Sequence, residues 1–159
     1  MNCDFLLEAP APFVLLDAAR TMTGADGPHL VAWRRCAAAP FWQVLEAAAQ
    51  AAALQQRVAR DFACHAFLLS VERAPWCAGP LSGTACLEVR VMAQGSGVAA
   101  SLVRVRGLAG PEGALPPLEL ELRVGLLPYD ASFSRELLER RYRELYRCLS
   151  RNAEAFLTV

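Results

Sequence analysis

WQVLEAAAQAAALQQRVAR, residues 42–60, is the stretch on which the reading of this chain turns. It contains neither Gly nor Pro, and its alanine content favours helix outright. As far as Leu54 it is apolar nearly all round, which signals a helix buried on every side rather than one lying on a surface. Small alanine side chains also let a sheet approach closely. The run turns polar at Gln55, Gln56, Arg57 and Arg60, where the helix is expected to emerge into solvent.

Upstream of this helix, Phe13–Ala18 (FVLLDA) is an apolar run of strand length, and Gly24 to Pro28 is dense turn chemistry. His29–Arg35 then reads as a second strand leading through Ala37, Ala38 and Ala39 to Pro40. Downstream, four further strands are expected at Ala66–Arg73, Ala85–Gln94, Ala99–Gly107 and Leu118–Leu127, separated by Gly- and Pro-rich turns. The last of them opens LELELRV, the strict alternation of a strand with one wet face. Residues 132–156 carry Phe133, Leu137, Leu138, Leu145, Tyr146 and Leu149 at helical spacing, with Ser132 or Ser134 as cap and Glu136 in the first turn. The order is strand, strand, helix, four strands, helix. Short turns between consecutive strands favour antiparallel pairing, and the apolar helix needs wrapping on several sides.

Composition bounds the function. The chain has 159 residues, enough for one domain (1–159) with a sizeable core and no need of metal or disulfide staples. Within it, residues 12–127 form the expected core and 132–156 a helical extension. With 16 basic and 16 acidic residues the net charge is zero, so no global field draws nucleic acid or anionic membrane. An apolar fraction of 55% points to a generous core or to apolar surface covered by a partner, and a dimer is expected. All basic residues are arginine. The six cysteines form no CxxC pair and no Cys/His cluster at zinc spacing, so no metal or other cofactor is expected. Reduced thiols in the cytoplasm are the simplest reading. The opening MNCDFLLEAPAP does not read as a signal peptide, and no apolar run reaches transmembrane length.

Three strings carry a resemblance. PFVLLDAA at Pro12–Ala19, PFWQVLEAAAQAAAL at Pro40–Leu54 and FLLSVERAPWCAGPLSG at Phe67–Gly83 resemble, in order and spacing, the FabZ/FabA-type 3-hydroxyacyl-ACP dehydratases of the hotdog superfamily. The resemblance implies an α+β hotdog fold, a curled antiparallel sheet wrapped around a long central helix, here with an extra C-terminal helix. It implies an acyl carrier protein or coenzyme A thioester as ligand and places Glu46 at the family's acidic position. It also exposes two departures. The histidine motif HFPGHP between second strand and helix is missing, and Phe41 stands where the family has a glycine.

Dehydration needs a base for the C2 proton, an acid for the departing hydroxyl and polarisation of the carbonyl. One carboxylate does not supply all three. Two functions therefore follow from the resemblance. One is a degenerate or partner-dependent dehydratase subunit, homodimeric or paired with a hotdog dehydratase that supplies the histidine, in fatty-acid or polyene-type biosynthesis. The other is a hotdog acyl thioesterase in which Glu46 activates water or attacks the thioester. Phe41, Trp42, Gln50 and Trp76 are candidates for the acyl groove. Against this, Gln43, Glu46, Gln50 and Arg57 fall near one helical stripe and also fit a partly solvated face without chemistry. His29 and His65 belong to no catalytic motif, Cys36 and Cys77 read as small buried hydrophobes, and Trp33, Phe41, Trp42 and Trp76 divide between core and groove in a way the sequence leaves open. The arginines and glutamates of 135–154 fit intrahelical ion pairs, or a surface on which an acidic carrier protein docks.

Overall fold

The structure is a computed structural model that describes residues 14–25 and 27–157; Phe13 and the proline-rich lead lie outside the described residues. The alanine-rich stretch forms helix α1, Phe41–Ala59, 19 residues long. Before it come β1 (Ala18–Gly24) and β2 (Gly27–Ala39); after it come β3 (His65–Arg73), β4 (Leu81–Gln94), β5 (Val98–Gly110), the two-residue β6 (Gly113–Ala114), β7 (Leu118–Leu127) and helix α2 (Arg135–Leu157). The strands make one antiparallel sheet in the order β1-β2-β4-β5-β7-β3, with β6 paired to β5. This is the hotdog arrangement, in which the sheet curls around α1 so that β2, β3, β4, β5 and β7 all touch the helix.

Ala47, Ala48, Ala51 and Ala52 of α1 are fully enclosed and meet the inward residues of the sheet, among them Leu30, Leu87, Val89, Val103 and Val105. The alternation in LELELRV places Leu118, Leu120, Leu122 and Val124 of β7 inward. Its outward partners make cross-strand ion pairs, Glu119 with Arg104 and Glu121 with Arg73. Sharp curvature between β4 and β5 depends on two glycines at positive φ, Gly83 (115°) and Gly107 (83°), where a Cβ on either would strike a main-chain carbonyl of the facing strand.

Expectations at both ends of this arrangement need correction. The first strand starts at Ala18, where the expected one ended, because the backbone of Leu15 is held by side chains instead of a ladder. The amide N–H of Leu15 donates to Gln50 Oε1 (2.8 Å), and Arg34 Nη1 donates to the carbonyl oxygen of Leu15 (2.9 Å). The helix does not emerge into solvent at Gln55 and Gln56, which are buried; it does so only from Arg57 on, with Ala59 exposed. Helix α2 lies across this end. Arg57 sits 3.9 Å beneath the Tyr142 ring and donates to the carbonyl oxygen of Ala66, and Arg60 Nη1 donates to the main-chain oxygen of Gln56 (3.2 Å).

Helix α2 joins the two edges of the curled sheet. The Tyr146 hydroxyl accepts from the amide N–H of Thr21 on β1 (3.3 Å) and lies 2.8 Å from Thr21 Oγ1, while the Tyr142 hydroxyl lies 2.6 Å from Nδ1 of His65 at the start of β3. Leu149 and Ala153 are fully enclosed, and Trp33 stacks on Phe156 with centroids 5.8 Å apart. Cys36, Cys64, Cys77 and Cys86 are free, whereas Cys148 is disulfide-bonded, which departs from the expectation of reduced thiols.

Burial, with the neighbouring Arg57 adding to it, pushes the His65 imidazole below its ordinary value of 6.5. The unfolded chain therefore binds this proton more readily than the folded one. The stability linked to neutral His65 is complete above about pH 6.5 and is lost as the pH falls from there through the folded value. Urea midpoints at pH 7.5 and 5.5 are expected to fall further for the wild type than for His65→Phe, which keeps the stacking on Phe133 but has nothing to titrate. Equal falls would place the acid sensitivity elsewhere.

Candidate functional site

Helix α1 begins abruptly. Strand β2 runs to Ala39 and the chain enters the helix through Pro40, which has an extended backbone and no side-chain cap. The Gln43 amide N–H turns back to the Pro40 carbonyl oxygen (3.0 Å), which leaves those of Phe41 and Trp42 without an intrahelical acceptor and this end with partial positive charge. Pro40 fits the position because it has no N–H to leave unsatisfied. No loop intervenes that could carry a histidine.

Beside this end lies a groove of about 520 Å³, lined by Pro40, Phe41, Trp42 and Leu45 on the helix side and by Ala74, Trp76, Cys77 and Gly79 on the β3–β4 connection. The aromatics left undivided by the sequence now separate. Trp33 is buried with Ala18 and Ala153, Phe41 is 7% exposed and forms the groove's floor, and Trp42 and Trp76 are 61% and 84% exposed at its rim. Phe41 and Trp76 meet edge to face with centroids 6.2 Å apart. Leu45, Cys77 and the backbone at Gly79 were not singled out from the sequence, since only the fold brings residues 74–80 against the start of α1.

Glu46 lies one turn beyond Trp42, partly buried, on the flank of the groove and outside its lining. Gln50 Nε2 donates to Glu46 Oε1 (3.0 Å), while Gln50 Oε1 accepts from the amide N–H of Leu15 (2.8 Å), so the amide holds the carboxylate in a defined orientation. Arg34 Nη2 donates to Gln43 Oε1 (2.7 Å) on the same side. The polar residues of α1 thus form an ordered strip against β2 and Leu15, not a freely solvated face. Gln50 supports Glu46 and does not line the groove.

Neither histidine reaches this end. His29 is ten residues before Ala39 along β2, roughly 30 Å at the rise of a strand, and its Nδ1 is 3.5 Å from the carbonyl oxygen of Gly27. His65 is engaged with Tyr142 at the opposite end of α1. Burial pushes the thiols of Cys36 and Cys77 above their ordinary value, which leaves them protonated at neutral pH and packed as apolar groups. Among the described residues no group of three or more His, Cys, Asp or Glu side chains is placed to hold a metal ion, and no helix is long and apolar enough to cross a membrane.

No family model and no curated protein matches the sequence. Solved structures do. A proposed thioesterase, yhdA, from Lactococcus lactis superposes with a TM-score of 0.57 at 12% identity, covering 74% of this chain and 95% of the other. A mutant thioesterase from Pseudomonas aeruginosa superposes with a TM-score of 0.51 at 20% identity, covering 69% and 81%. At these identities the likeness establishes the hotdog fold.

Proposed function

We propose that this chain binds acyl thioesters, carried on coenzyme A or acyl carrier protein, and hydrolyses them with Glu46 as the base. The observation that carries the reading is the apolar groove at the uncapped start of α1, with an oriented carboxylate one turn along the helix and no histidine near either. The acyl chain would lie along Phe41, Trp42, Leu45 and Trp76. The thioester oxygen would meet the free amides at the start of α1, which stabilise negative charge as it develops. Glu46 takes a proton from water as the water oxygen attacks the carbonyl carbon. The tetrahedral intermediate then collapses, the carbon–sulfur bond breaks, and the proton passes from Glu46 to the leaving thiolate, giving a carboxylic acid and a free thiol.

The two solved structures named above are described as thioesterases, which supports hydrolysis over dehydration. Dehydration would need a second proton-transfer group, and none of the histidines stands at this groove. The dimer expected from composition fits the exposed apolar side chains Leu68, Leu69 and Val71 on β3, an edge strand of the sheet that a second copy would extend and cover. The same edge supports the second reading, a subunit that completes its acid–base pair on a histidine-bearing dehydratase.

The two readings separate in one assay. The purified full chain is given saturated acyl-CoA and acyl carrier protein thioesters, with free thiol as readout, and enoyl thioesters, with hydration as readout. Thiol release without hydration is expected. Hydration by the isolated chain with no thiol release would overturn the hydrolase, and silence in both assays that is relieved by a dehydratase partner would favour the subunit reading.

A further inference from the structure

At the far end of α1, roughly 28 Å from the thioester groove at the α-helical rise, a second concavity of about 520 Å³ opens between β1 and α2. It is lined by Arg20, Phe62, Arg143, Tyr146, Arg147, Ser150, Arg151 and Glu154. A run of charge on a helix is usually a solvated face tied by pairs four residues apart, and the first half of α2 fits that description. Arg135 and Arg143 both reach Glu139, and Arg140 reaches Glu144. The second half does not fit it. The side chains of Arg147, Arg151 and Arg20 make no hydrogen bond or ion pair with another described residue, and the three converge on one concavity among whose described lining residues Glu154 is the single carboxylate.

The floor of the concavity is built with strain. Asp61 and Phe62, just past the end of α1, both adopt the left-handed backbone (φ 48° and 59°), a conformation that non-glycine residues disfavour and that persists only where its surroundings enforce it. Arg143 enforces it, donating from Nη1 to Asp61 Oδ1 (2.8 Å) and from Nη2 to the main-chain oxygen of Asp61 (2.7 Å), with its guanidinium 4.9 Å from the centre of the Phe62 ring. The turn sets the Phe62 ring against Tyr146, centroids 5.9 Å apart, as an apolar floor beneath the unpaired arginines. In the same lining, Ser150 Oγ is buried with no hydrogen-bond partner, an unsatisfied hydroxyl beneath the concavity's wall.

We infer that this concavity is a binding site for a small organic phosphate bearing at least two negative charges, with Arg20, Arg147 and Arg151 as counter-charges and Phe62 and Tyr146 as the apolar floor. Planar guanidinium groups take phosphate oxygens in pairs, and aromatic rings accept a flat base or similar group beside the phosphates. A polyanion that small fits a concavity lined on one side by helix and on the other by strand. The distance to the start of α1 makes this site independent of the thioester reading, and each stands or falls separately.

The test is calorimetric titration of the full chain with inorganic pyrophosphate and with metal-free ATP, near physiological ionic strength. Saturable binding is expected, weakened about tenfold or more by the double variant Arg147→Gln, Arg151→Gln, as for loss of charge-assisted hydrogen bonds. The double variant Arg135→Gln, Arg140→Gln removes the same charge from the same helix and is expected to bind as the wild type does. Tighter binding of ATP than of pyrophosphate would assign the floor to the base; equal binding would assign recognition to the phosphates. Absence of saturable binding by both compounds, or equal weakening in the two double variants, would overturn the site. So would binding of an acidic carrier protein through this face with neither phosphate compound bound.

Discussion

Glu46→Gln is expected to lower kcat for acyl-thioester hydrolysis by about 10²–10⁴-fold, the usual contribution of a positioned general base, with KM nearly unchanged. The amide keeps the size of the carboxylate and can still meet Gln50, so the fold and the groove should survive. What it loses is the capacity to take a proton from water. KM is insensitive because the acyl chain is held by Phe41, Trp42, Leu45 and Trp76, none of which the substitution touches. Gln50→Ala is expected to produce a smaller fall, since Gln50 only orients Glu46 and ties it to Leu15. Steady-state rates over a range of acyl-CoA concentrations check both. Equal kcat in wild type and Glu46→Gln would remove Glu46 from the chemistry and return it to the ordered polar strip of α1.

How far the sequence anticipated this arrangement depends on whether a signal was local. The span of α1 was legible because alanine propensity and the lack of Gly or Pro act residue by residue, and β7 was legible within its limits because alternation is written along the strand itself. Strand β1 was misplaced because the competing partners of Leu15 are Arg34 and Gln50, which are 19 and 35 residues away. The burial of Gln55 and Gln56 was missed for the same reason: the packing around that end of α1 is not local, and Tyr142, which lies over the neighbouring Arg57, is 85 residues later. At the site, Phe41, Trp42 and Trp76 were candidates that the sequence left undivided between core and groove, and the structure brings them to one groove. Glu46 was found by resemblance alone, and geometry puts it beside that groove instead of in it. The division of α2 between arginines paired along the helix, Arg135, Arg140 and Arg143, and arginines that face the second concavity, Arg147 and Arg151, was invisible in sequence, where all look alike.

The largest stability effect is expected from a substitution that adds apolar surface. Ala51→Leu should destabilise the chain by about 3 kcal/mol, near the upper end for overpacking a dense interior, even though leucine is a good helix former and more hydrophobic. Ala51 is fully enclosed on a helix that β2, β3, β4, β5 and β7 all touch, so the added atoms have no solvent side to turn to. For a chain of this length the melting temperature would drop by roughly 6–12 °C. Ala51→Gly should also destabilise, by about 1 kcal/mol, through backbone entropy and a lost methyl contact. A fall on both sides of alanine is the mark of a close fit. If α1 lay on an open face instead, leucine would be neutral or stabilising and only glycine would lower the melting temperature. Thermal denaturation of the two variants beside the wild type therefore tests directly whether the alanines of WQVLEAAAQAAALQQRVAR are there because the sheet leaves room for nothing larger.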